Sequence, residues 1–179
     1  MLRLTENFLG EVDEVKIIAR IKQHAVEQPN QSGSAQMLAE ELSSLPSLMQ
    51  KAIEDFSPGL FSAYAAQWRQ AYLKFYAHDE IGAEYIAILL EISANQIDFN
   101  NNELAEYYLD EVRAWVTVLY GENSFLAKYV ERYYAILDFL KGDYQSCIQR
   151  AEISLIAIHE MKQIDVPEEL NDIYILSLI

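Results

Sequence analysis

Apolar residues recur at helical spacing along almost the whole chain. Between 4 and 28, Phe8, Val12, Val15, Ala19 and Val26 follow one another at steps of three, four or seven, leaving Lys16, Arg20 and Glu27 for the solvent side. Between 44 and 56, Leu45, Leu48, Met49, Ala52, Ile53 and Phe56 form a second stripe. The same pattern predicts helices over 58–77, 82–98, 102–119, 124–140, 143–162 and 167–178. Helix breakers and caps fall between them: Ser57-Pro58-Gly59, His78-Asp79-Glu80, Asn100-Asn101-Asn102, Gly121 to Ser124, Gly142-Asp143 and Asp165-Val166-Pro167. Ser57 and Asp165 suit N-caps, Pro58 and Pro167 suit a first turn, and Gly142 suits a C-cap. The loop-like stretch Pro29 to Ser34 separates the first helix from the rest. No segment alternates with period two between turn signals, so the chain reads as all-α.

The pattern also repeats. Ala105 and Cys147 lie 42 residues apart, and the same shift places Asn100 over Gly142, Ser93 over Ala135, Ile97 over Phe139 and Val116 over Ile158. Asn and Gly are residues that tolerate a left-handed helix end, so the superposed pair marks one kind of corner. Shifting the other way puts Ala63 over Ala105 and the Ser57–Gly59 break over 100–102; shifting Ser124 forward lands on Val166. The period predicts helix pairs at 40–81, 82–123 and 124–165, preceded by an N-terminal helix in 1–30 and followed by a half unit at 166–179.

Residues 140 to 158, "LKGDYQSCIQRAEISLIAI", resemble the second half of a tetratricopeptide repeat, with Gly142, Asp143, Tyr144 and Cys147 at the Gly-Asp-Tyr corner and the small position three residues later. Ala151 and Leu155 continue the apolar stripe. The ordinary repeat is about 34 residues long; the 42-residue spacing is similar to the kinesin-light-chain type, which has a longer second helix. Asp138 stands where the motif has an aromatic, Ser154 stands at the second small position, and no proline closes the unit. The resemblance implies a right-handed stack of antiparallel helix pairs in one domain. It also implies that Cys147 sits where two helices cross too closely for a larger side chain.

Composition narrows the function classes. With 13 basic and 28 acidic residues the formal net charge is -15, which disfavours binding to nucleic-acid phosphates and to anionic membranes. One cysteine forms no internal disulfide, the N-terminus carries no secretory-signal pattern, and the apolar runs at 85–90 and 153–158 are too short to span a bilayer. These features point to a cytoplasmic protein. His24, His78 and His159 fit neither a di-iron Glu-x-x-His pair nor a zinc-protease helix, and the isolated glycines form no phosphate-binding loop. The sequence therefore carries no catalytic, metal or cofactor signature, and a non-enzyme is the expectation. The acidic rows Glu84, Glu91, Asp98 and Glu103, Glu106, Asp110 read as solvated faces, or as a surface for a basic partner.

Aromatic residues give the sharper lead. Tyr129, Tyr133, Ile136 and Leu140 lie three or four apart on one helix, with Arg132 beside them. In the resembled family the first helix of each pair lines a concave surface that holds an extended peptide or a partner helix. Mapped by position, Leu90, Ala94 and Ile97 would join this surface from the preceding unit, and Tyr174 and Leu178 from the following one. The stripe is equally what a core face would show. A protein-interaction module binding in this groove is the first reading. An acidic inhibitor or immunity-type protein that neutralises a basic target is a second, and a helical enzyme or small-ligand binder a third. The segment 167–179 is apolar on nearly every side and lacks the polar outer face that closes a repeat array. Self-association through Tyr174, Leu176, Leu178 and Ile179, as a homo-oligomer or within a larger assembly, is the expectation.

Overall fold

The computed structural model describes residues 32–76 and 81–160, with side chains described from Gln36 to Ala157. All of its regular structure is helical: α1 (Ser32–Glu54), α2 (Pro58–Phe75), α3 (Ala83–Asp98), α4 (Asn102–Tyr120), α5 (Phe125–Lys141) and α6 (Tyr144–Glu160). Among the described residues there is no strand, and no helix is long and apolar enough to cross a membrane. The helices expected at 4–28 and 167–178, the caps at Asp165 and Pro167 and the His78–Glu80 turn lie outside the described residues.

Three corners share one backbone design. Phe56, Asn100 and Gly142 all have positive φ, at 50°, 59° and 78°. The Phe56 N–H bonds the Ile53 carbonyl at 3.0 Å and the Ser57 N–H bonds the Ala52 carbonyl at 2.8 Å. Asn100 and Asn101 repeat this to Ile97 and Gln96 at 2.8 and 2.7 Å; Gly142 and Asp143 repeat it to Phe139 and Asp138 at 3.0 and 2.9 Å. Each is the double bond of a left-handed helix C-terminus, which pairs carbonyls the helix end would otherwise leave open. The residue after each left-handed position is the N-cap of the next helix, so three residues join the helices at the first two corners and two at the third. At the third corner the Asp143 carboxylate accepts from the Ser146 N–H at 3.2 Å and from its hydroxyl at 2.8 Å. That ties down the start of α6 and holds the Asp143 carboxyl below its ordinary range.

The sequence expectations need four corrections here. The stretch expected as loop up to Ser34 already belongs to α1, which starts at Ser32 and is 23 residues long, not confined to 44–56. The first corner sits at Phe56, two residues ahead of the place the 42-residue shift gives it, so Ala63 is exposed and Ala65, at 0%, is the buried small residue. Leu48 and Phe56, expected in the apolar stripe, are 39% and 75% exposed. Ser57 does occupy the N-cap before Pro58, but its hydroxyl donates to the Asp55 carbonyl at 3.3 Å instead of accepting from the helix.

A phenylalanine in the left-handed region carries strain of about 1–2 kcal/mol, because its Cβ crowds the carbonyl that follows. We expect Phe56→Gly to raise stability by about 0.5–1 kcal/mol, the strain relief being partly offset by glycine's larger unfolded-state entropy. Urea unfolding of the two proteins checks this.

By contact the chain divides into a unit ending at Ile88 and a unit from Leu89 onward. In the first, α1 packs along α2. The buried residues are Leu42, Leu45, Met49 and Ala52 on α1, and Phe61, Ala65, Trp68 and Phe75 on α2. The Tyr85 ring packs against Trp68 and Tyr72 with centroids 5.8 and 4.7 Å away.

In the second unit α5 packs against both α4 and α6. Six consecutive residues, Arg132 to Leu137, are buried, so the middle of α5 is covered on every side, while Tyr129 before it is half-buried and Leu140 after it is exposed. Where α5 crosses α6, Ala135, Cys147 and Ala151 are each 0% exposed and form one cluster, with Tyr129, Phe139 and Leu155 packed against it. Cys147 is therefore a packing residue: its side chain is small, apolar and enclosed.

Ion pairs fasten the outer side of the same three helices. Glu131 on α5 takes Arg113 from α4 and Arg150 from α6, the second at 2.5 Å, and Arg150 also reaches Asp138 at 2.8 Å. Both guanidinium groups lie over the Tyr134 ring, 4.4 and 4.9 Å from its centroid. The Tyr134 hydroxyl donates to Asp110 at 2.7 Å. Burial, then the Asp110 bond, pushes that hydroxyl well above its ordinary range.

Candidate functional site

The α5 residues singled out by sequence lie on the side of the helix that the Glu131 cluster leaves alone. Tyr133 and Ile136 are 1% and 7% exposed, and Arg132 is 4% exposed; Tyr129 is half-buried. From α3, Ala94 and Ile97 are buried at 3% and 7%, and Leu90 is half-buried. The stripe is thus mostly interior, with Tyr129 and Leu90 as its open members. Tyr174, with the self-association set Leu176, Leu178 and Ile179, lies outside the described residues.

Arg132 is the unusual group. Its Nη1 donates to the Tyr129 hydroxyl at 2.6 Å, and its guanidinium lies over the Tyr129 and Tyr133 rings, 5.1 and 4.9 Å from their centroids. The spacing explains the geometry: residues three apart share a helix face, so Tyr129 and Arg132 meet one turn apart. Among the described residues no carboxylate lies within ion-pair distance of this guanidinium, and its buried Nε–H has no acceptor. The contrast with Arg150, buried less and paired twice, is sharp.

Glu91 on α3 is the second unusual group. Its Oε2 is buried without a hydrogen-bond partner, and desolvation raises its pKa from 4.5 to about 7. Its charge in turn helps to raise the Tyr133 hydroxyl, whose shift is dominated by burial and opposed by Arg132. By sequence, Glu91 belonged to an acidic row with Glu84 and Asp98, read as a solvated face or a surface for a basic partner; in the fold it is half-buried, with Oε2 enclosed. The spacing of seven carried no sign of what packs against Glu91.

A separate cleft of about 430 Å³ opens beside the Glu131 cluster, lined by Arg113, Thr117, Glu122, Asn123, Lys128 and Ile153, among others. Its charges are mixed and Glu131 is already committed to two arginines, so it offers no convergent catalytic set. Among the described residues, no three His, Cys, Asp or Glu side chains gather as a metal site requires.

Comparison with protein-family models, with curated proteins and with solved structures gave no match.

Proposed function

We propose that the protein is a non-catalytic interaction module that holds an extended peptide or a partner helix along the face carrying Leu90, Ala94, Ile97, Tyr129, Arg132, Tyr133 and Ile136. The observation that carries this reading is the pair of buried polar atoms without partners on that face, Arg132 Nε and Glu91 Oε2, set among aromatic and aliphatic groups. Buried polar groups are almost always paired, because each one left open costs about 1–3 kcal/mol, and a binding site is where such groups are kept for an incoming partner. Half-buried Tyr129 and Leu90 give the partner its access, and Tyr with Arg is the combination that anchors interfaces.

The recurring corner at Phe56, Asn100 and Gly142 supports reading the helix pairs as a right-handed tetratricopeptide-like stack, in which α1, α3 and α5 are the first helices. The corners are spaced 44 and then 42 residues apart, close to the period expected from sequence. In such a stack the first helices share the binding surface, to which this reading assigns Leu90 and Tyr129. The segment 167–179 would then supply the next first helix, or a contact with a second copy.

A peptide-display selection against the immobilised protein tests the reading. We expect the selected peptides to lose at least tenfold in affinity with Tyr129→Ala or Leu90→Asp, and to bind unchanged to Val118→Asp, altered at a residue on α4 that is 74% exposed. Peptides that ignore the first two changes and respond to the third would overturn it.

A further inference from the structure

We infer that Arg132 is a receptor for a carboxylate group carried by the bound partner. This rests on the reading of the α5 face as a peptide-binding surface and names the chemistry that the surface selects.

A guanidinium stays charged at every pH the protein meets, so burial cannot be relieved by losing the proton. Removing such a charge from water is costly unless an opposite charge and a full set of acceptors replace the solvent. Arg132 is 4% exposed, yet its only hydrogen bond among the described residues is to the neutral Tyr129 hydroxyl. The two tyrosine rings contribute cation–π attraction, which is weaker than an ion pair and leaves the in-plane Nε–H unanswered. The other arginines of the same unit show what a satisfied one looks like: Arg113 and Arg150 both meet the Glu131 carboxylate. Arg132, more buried than either, has none.

The open donor and the uncompensated charge call for one chemistry. The Arg132 Nε–H needs an acceptor in the guanidinium plane. The Tyr129 hydroxyl is already engaged, accepting from Arg132 and hydrogen-bonded to the Tyr133 side chain. An anion supplies both the acceptor and the missing charge, and a carboxylate is the group whose planar fork fits a guanidinium edge. The Glu91 carboxyl acts on the Tyr133 hydroxyl from α3 but makes no bond to the guanidinium. Desolvation keeps a large share of it protonated near neutral pH, so it does not substitute for the ligand and repels it little. Tyr129, which bonds the guanidinium, is itself half-buried and not enclosed.

The carboxylate can come from a C-terminus or from an acidic side chain, and three probes separate these sources. Acetyl-Leu-Leu with a free C-terminal carboxylate, acetyl-Leu-Glu-Leu-amide and the neutral acetyl-Leu-Leu-amide are titrated into full-length protein labelled with ¹⁵N in arginine. The Nε–H resonance of Arg132 is followed. We expect at least one carboxylate probe to shift that resonance saturably and to bind at least tenfold more tightly than the neutral amide. Arg132→Met should abolish the difference between charged and neutral probes. The probe that wins identifies the source.

If all three probes bind alike and move backbone signals of Leu90 and Tyr129 without moving the Arg132 Nε–H, the peptide surface stands and the carboxylate inference falls. If no probe binds, both fall. Should Arg132→Met not fold, Arg132→Lys is the second variant. It keeps the charge but loses the planar fork, and should weaken the charged probe at least fivefold while leaving the neutral one unchanged. Equal effects on both probes would contradict the inference.

Discussion

Replacing Glu91 with glutamine should stabilise the protein at pH 8 by about 1–2 kcal/mol, solvent at the half-buried group screening part of the effect, and leave it almost unchanged at pH 4, the difference following from a carboxyl whose folded-state pKa is raised from 4.5 to about 7. The sign comes from proton counts. Between those two values the folded chain holds a proton that the unfolded chain has released, so stability falls as pH rises through that window. Above pH 7 the full cost of a buried, unpartnered carboxylate is present; below pH 4.5 both states are protonated and the cost is gone. Glutamine keeps the shape and carries no charge at any pH, so it removes the slope. Urea unfolding of both proteins at pH 4, 6 and 8 measures it. Parallel stability curves for the two chains would show that Glu91 is solvated after all. Such a group, costly to the free protein and placed on the surface proposed for binding, is what a site kept for a partner looks like.

Cys147→Phe should cost about 3 kcal/mol or more, while Cys147→Ala should cost about 1 kcal/mol or less. The thiol is 0% exposed and shares its cluster with Ala135 and Ala151, so α5 and α6 approach through small residues only. A ring at 147 forces the two helices apart along their whole crossing; a methyl group leaves a gap smaller than a methylene or two. Thermal unfolding measures both. Thiol labelling of the native protein adds an independent check, since an enclosed Cys147 reacts only through unfolding. Tolerance of phenylalanine with an unchanged melting temperature would contradict the close crossing.

The corner before Cys147 was legible because Gly142, Asp143 and Tyr144 each state a backbone requirement: a left-handed end, an N-cap, a helix start. The Asn100 corner was legible for the same reason. The Phe56 corner was not, because phenylalanine gives no hint of positive φ, and the nearby Ser57-Pro58-Gly59 drew the expected break two residues too far on. The first half of α1 was hidden by Ser32, Gly33 and Ser34, residues of weak helix propensity. At the site the sequence grouped Tyr129, Arg132 and Tyr133 correctly, since helical spacing is all that grouping needs. It could not tell that Arg132 is enclosed without a counter-charge or that Glu91 Oε2 is covered. Burial is set by neighbouring helices, and no local pattern on α3 or α5 records what lies across from them.

A crystal structure of the full chain with a display-selected peptide tests the central claim most directly. The account predicts the peptide in van der Waals contact, within about 4 Å, of Leu90 and Tyr129, with a peptide oxygen accepting from Arg132. A peptide seated instead in the cleft between Arg113, Lys128 and Ile153, with Arg132 untouched beneath Tyr129, would contradict it.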